Sequence, residues 1–167
     1  ADLAQPHPMN RLLQGDVGSG KTAVAFLAAV MAAEAGHQTV LMAPTEILAE
    51  QHERSLRRLA AGGGAEMRIA LLTASVPRRE ASAIRAALAS GALDLVVGTH
   101  AQVQDEVRPH SLGLAVVDEQ HRFGVLQRQA LSGKRNDGRA PHVLVMTATP
   151  IPRTLALTLA GELDVSV

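Results

Sequence analysis

Short apolar runs alternate with longer stretches of helical period along most of the chain. The runs fall at residues 11–14, 39–42, 68–72, 93–97, 114–117 and 143–146, and most are rich in Val and Leu. Their length and content suit strands buried on both faces. Between and after them, the pattern predicts helices over 21–35, 46–60, 77–89, 125–131 and 153–160. Gly36, residues 62–64 and Gly91 stand where three of these helices would need a left-handed residue to end. Strand–helix alternation predicts right-handed crossovers and a mainly parallel sheet of about six or seven strands flanked by helices.

The helices differ in character. Residues 21–35 carry Val24, Phe26, Leu27, Val30, Met31 and many alanines nearly all round, so this helix is expected to be buried against the sheet. Residues 46–60 are amphipathic. Ile47, Leu48, Leu56 and Leu59 are expected inside, with Glu50, Glu53, Arg54, Arg57 and Arg58 outside. Asn136-Asp137-Gly138-Arg139 reads as a polar turn. No internal repeat or interdomain linker is evident.

Five polar or Gly/Pro segments follow apolar runs. They are residues 15–22, Ala43-Pro44-Thr45, Gly98-Thr99-His100, Asp118-Glu119-Gln120-His121 and Thr147-Ala148-Thr149. In a parallel sheet all five lie at the carboxyl edge, where open α/β folds bind ligands. Segments distant in sequence would then line one cleft.

Composition narrows the picture. At 167 residues, with 47% hydrophobic and 19% charged, the chain is expected to be one globular domain. No apolar run reaches the roughly 18 residues needed to cross a bilayer. The first eight residues lack the pattern of a signal peptide. Without Cys there is no disulfide framework and no thiolate metal site. A cytoplasmic setting is expected. A formal net charge of zero gives no whole-domain attraction to nucleic acid, and two Phe without Trp or Tyr make a base-stacking platform unexpected. The chain starts without Met and ends on Val165-Ser166-Val167, as an excised lobe of a larger protein would.

Gly15-Asp16-Val17-Gly18-Ser19-Gly20-Lys21-Thr22 matches the phosphate-loop pattern, and it falls between a predicted strand and a predicted helix. Its glycines let backbone N–H groups turn inward around a phosphate, and the helix start adds partial positive charge. Lys21 would supply a point charge to the β- and γ-phosphates of ATP, and Thr22 a hydroxyl to Mg²⁺. The bland alternative is an accidental Gly-rich turn. Asp118 and Glu119 end an apolar run, the usual second half of such a site. Asp118 would hold Mg²⁺ and Glu119 would orient or deprotonate the attacking water; a helix cap is the plain alternative. The seven histidines are scattered without helical pairing, so a zinc site is not expected.

Asp118-Glu119-Gln120-His121 resembles the corresponding box of superfamily 2 helicases. Its extension Arg122-Phe123-Gly124 is more specific, and so are the stretches 146–154 and 42–52. With the phosphate loop they resemble the RecG type of ATP-dependent DNA helicase from about residue 9 to residue 167. The related Mfd type, a transcription-repair coupling translocase, shares several stretches, but Gln120 and Ser19 favour RecG.

The resemblance implies a RecA-like first motor lobe that binds ATP and Mg²⁺. It implies a parent protein that remodels branched DNA, such as stalled forks and Holliday junctions, in recombination and repair. Gln120, His121, Thr147 and Thr149 would couple the nucleotide site to movement. Pro44, Thr45, Thr99 and His100 would meet the DNA backbone, although Thr45 serves equally as a helix cap. Arg54, Arg57 and Arg58 read better as a solvated face than as a DNA track. A second RecA-like lobe with an arginine finger, a wedge domain and an adenine-recognising segment would lie outside the chain. The parent is expected to be a monomer, nucleoid-associated and not membrane-bound. Rival readings are a small-molecule phosphate-loop kinase and a nucleotide-gated interaction module.

Overall fold

The computed structural model describes residues 10–15, 20–104, 107–118, 141–147 and 164–166. Among them, five strands alternate with four helices and two more strands follow: β1 (Asn10–Gln14), α1 (Lys21–Glu34), β2 (Gln38–Ala43), α2 (Glu46–Gly63), β3 (Ile69–Leu72), α3 (Arg78–Ala89), β4 (Leu95–Thr99), α4 (His100–Gln104), β5 (Leu112–Asp118), β6 (His142–Thr147) and β7 (Asp164–Ser166). They form one sheet in the order β3-β4-β2-β5-β6-β1-β7. Every pairing among these strands is parallel.

The order explains the layering. The connections from β1 to β2 and from β2 to β3 run toward one edge of the sheet, and α1 and α2 pack on one face. The connections from β3 to β4 and from β4 to β5 run back, and α3 and α4 cover the other face. Right-handed crossovers running in opposite directions must lie on opposite faces. Alternation within each strand then divides the core. Leu41, Leu114, Val116, Leu144 and Met146 point toward α1 and α2. Val40, Met42, Ala115, Val117, Val143 and Val145 point the other way. Each fully buried Leu or Val contributes about 1.5–3 kcal/mol relative to an exposed one.

The six expected strands and the first three expected helices are present; the helices expected over 125–131 and 153–160, and the polar turn at 136–139, lie outside the described residues. Several strands run further than the apolar runs suggest, because ladder pairing takes in polar residues at their ends: Gln38, Thr99, Asp118, His142 and Thr147 all lie in strands. β3 and β4 instead begin one and two residues later than expected. Gly36, Gly64 and Gly91 have φ of 83°, 66° and 83°, and α2 continues through Gly62 and Gly63 to reach its end.

Two expectations about burial need correction. α1 is not buried all round. Ala25, Phe26, Ala29 and Ala32 face the sheet, while Val24, Leu27 and Met31 are exposed. One sheet face covers only one side of a helix, and the small alanines let α1 approach it closely. In α2, Ile47 is 68% exposed, and the fully buried positions are Ala49 and Leu56. Ile47 sits in the first turn, beyond the carboxyl edge of the strands.

At the opposite, amino edge, Gln38 ties three segments together. Its amide donates to the carbonyls of Leu88 and Leu93, and its carbonyl accepts from Ser111 N. Beside it, Arg68 grips both oxygens of Asp94 at 2.9–3.1 Å. Those hydrogen bonds hold the Asp94 carboxyl below its ordinary range. A cavity of about 280 Å³ opens here, lined in part by His37, Ser90 and His110. It lies at the opposite edge of the sheet from Ala43, Thr99, Asp118 and Thr147, the last residues of their strands.

Candidate functional site

Register brings the segments of interest to one edge. β6 lies between β1 and β5. Gln14 pairs with Thr147 and Asp118 with Met146, so the three strands end level with one another. The N–H of Gly15 donates to the carbonyl of Thr147 at 3.2 Å and pins the start of the loop to the end of β6. On the other side of β5, Met42 pairs with Val117 and Ala43 with Thr99.

Gly20 precedes α1 with φ 90° and ψ 15°, a left-handed conformation that a residue with a Cβ adopts only with strain. Among the described residues no side chain caps this helix, and its first turn holds no acidic residue. Its leading N–H groups therefore keep their partial positive charge for an anion. Lys21 Nζ donates to the carbonyl of Gly15, so the ammonium turns back toward the end of β1. Thr22 follows in the first turn, half-buried. Asp16, Val17, Gly18 and Ser19 lie outside the described residues.

Asp118 closes β5 with its side chain 19% exposed. Its Oδ2 accepts a hydrogen bond from Nε2 of His52 at 2.6 Å. His52 belongs to α2, two turns beyond Thr45. Reading the histidines by local spacing misses this residue, because its partner is 66 positions away. Only its place in the stretch 42–52, which carries part of the resemblance, marked it. Glu119, Gln120, His121 and Thr149 lie outside the described residues.

Pro44 and Thr45 are exposed at the same edge. Thr45 Oγ1 accepts from Leu48 N at 3.2 Å, so the hydroxyl caps α2. Thr99 ends β4 and His100 opens α4, a short helix that the hydrophobic pattern does not predict. The glycine before them has a steric reason: a Cβ on Gly98 would come within 2.5 Å of the Leu72 carbonyl. Thr147 is buried at 5% exposure. Arg54 and Arg57 pair with Glu50 and Glu53 one turn earlier on α2, and Arg58 reaches Ser55. These pairs give the arginines partners on their own helix. Among the described residues, no three His, Cys, Asp or Glu side chains group closely enough to hold a metal. Asp118 and Thr22 both offer hard oxygen ligands, which suits an ion that takes one or two protein oxygens and fills the rest of its shell with phosphate and water. None of the described helices is long and apolar enough to cross a membrane.

A parallel sheet, with a sequence of the phosphate-loop pattern following one strand and an acidic strand end two positions away, fits a nucleotide-binding α/β domain. The DEAD/DEAH box helicase family profile matches residues 3–158, and the chain belongs to that family. The chain is also similar to proteins named ATP-dependent DNA helicase RecG. It is 56% identical to that of Mycobacterium bovis across 98% of this chain, and 56% identical to that of Bacillus subtilis across all of it. The chain spans 24% of the length of each. Among solved structures, RecG bound to a three-way DNA junction superposes with a TM-score of 0.81 at 46% identity, over 98% of this chain and 21% of that one.

Proposed function

We propose that this chain is the first RecA-like motor lobe of a longer ATP-dependent DNA helicase of the RecG type, which uses ATP hydrolysis to move on branched DNA. The observation that carries this reading is the level ending of β1, β6 and β5, which brings Gly15, the first residue of the phosphate-loop motif, to the same sheet edge as Asp118. Branched DNA as the substrate class is supported by the RecG structure that superposes on this chain, which was solved bound to a three-way DNA junction.

In this reading the loop of residues 15–22 wraps the ATP phosphates with backbone N–H groups. Lys21 swings from the Gly15 carbonyl to the β- and γ-phosphates. Thr22 and Asp118 would hold Mg²⁺, which when bound would supply positive charge to offset that of the phosphates. Glu119 orients the attacking water and takes its proton. The chemistry is positioning and electrostatics rather than covalent catalysis. Thr147 and Thr149, with Gln120 and His121, carry changes at the phosphates to the rest of the cleft. Pro44, Thr45, Thr99 and His100 sit at that edge and meet the DNA backbone without reading sequence. A second lobe of the same longer chain supplies the other wall of the ATP cleft. We place the working protein in the bacterial cytoplasm, associated with the nucleoid, as a monomer.

The test is ATP hydrolysis by the longer protein with synthetic DNA. A three-way junction is expected to stimulate turnover well above a linear duplex of equal length. Equal stimulation by both would count against branched DNA as the substrate.

A further inference from the structure

We propose that His52 is a positioning residue for Mg²⁺ binding: from α2 it holds the Asp118 carboxylate in the orientation that receives the ion. The inference rests on Asp118 being a ligand of Mg²⁺ or of its water shell. The hydrogen bond is short, 2.6 Å, and joins two side chains that are only 14% and 19% exposed. An N–H donated to a carboxylate is stronger than a neutral pair, and partial burial shields it from salt. Asp118 stands at the last position of β5, where its side chain would otherwise turn about two bonds. One oxygen engaged by His52 leaves the other free to accept from water around the ion or to bind it directly. Orientation of this kind is what outer partners of metal-binding carboxylates supply.

The support for His52 is rigid. Ala49 and Leu56, one turn to either side of it on α2, are both 0% exposed and packed in the core against the sheet. The helix is capped at Thr45 and ends at Gly64, so its register is fixed at both ends. The choice of residue also has a chemical reason. A Lys or Arg would place a permanent cation against Asp118 and compete with Mg²⁺ for it. An imidazole donates from Nε2 without needing that charge.

The test uses the longer protein and a fluorescent ADP analogue, titrated once with Mg²⁺ and once with EDTA in its place. His52→Ala is expected to weaken binding about tenfold with Mg²⁺ and to leave affinity in EDTA unchanged. His52→Gln, whose amide can donate from a similar position, is expected to recover most of the loss. Equal losses with and without Mg²⁺, no loss at all, or a His52→Gln variant as weak as His52→Ala would each overturn the proposal. Asp118→Asn separates the two assignments. If it leaves the Mg²⁺-dependent affinity intact, the assignment of Asp118 fails first. If it removes that affinity while His52→Ala does not, only the role of His52 falls.

Discussion

Glu119→Gln in the longer protein is expected to keep ATP binding and to lose hydrolysis by about 100- to 10,000-fold, the range a positioned general base contributes. Gln matches Glu in size and can still hydrogen-bond a water, but it cannot take the proton. The neighbouring Asp118 stays in place, tied to His52 and to the ladder of β5. Nucleotide affinity, measured by equilibrium titration with Mg²⁺, should therefore stay close to that of the unaltered protein. Turnover within a fewfold of the unaltered rate would remove Glu119 from the water-handling role. Loss of binding together with turnover would place it on the nucleotide instead.

Lys21→Ala acts on the other side of the phosphates. Removing a charge that meets a phosphate in a partly closed site costs about 2–4 kcal/mol, or roughly 30- to 1,000-fold in Kd. The fold has little to lose from the change. The side chain is only partly buried, it donates to the Gly15 carbonyl, and Ala is the best helix former at the start of α1. A melting curve close to that of the unaltered protein, with greatly weakened ATP binding, is the expected pair of results. Unchanged affinity would contradict the phosphate-loop assignment.

The sheet was legible because its strands are buried on both faces and so carry continuous Val/Leu runs, as in Val116, Val117, Val143 and Val145. Strand ends were less legible. Asp118 and Thr147 belong to the ladder by backbone pairing, to which side-chain polarity gives no clue. Hydrophobicity alone also misjudged α1, since Leu27 at 61% exposure is as apolar as any core residue. α4 spans five residues, too few for a helical period to show.

The site divides in the same way. Lys21, Thr22 and Asp118 lie in local patterns tied to strand ends, and topology brings their strands level. The partnership of His52 with Asp118 depends on where α2 crosses the sheet, which no local pattern records. Gly98 likewise matched a motif in the sequence, but its reason, the close approach of the Leu72 carbonyl, belongs to the packing of β4 on β3.

We propose that residues 1–167 hold half of an ATP site and that a second lobe completes it. The most direct test is ATP turnover by this chain alone beside turnover by the longer protein, each with three-way junction DNA. Weak nucleotide binding and almost no hydrolysis are expected of residues 1–167, with DNA-stimulated hydrolysis once the second lobe is joined. Robust turnover by residues 1–167 alone would contradict the claim.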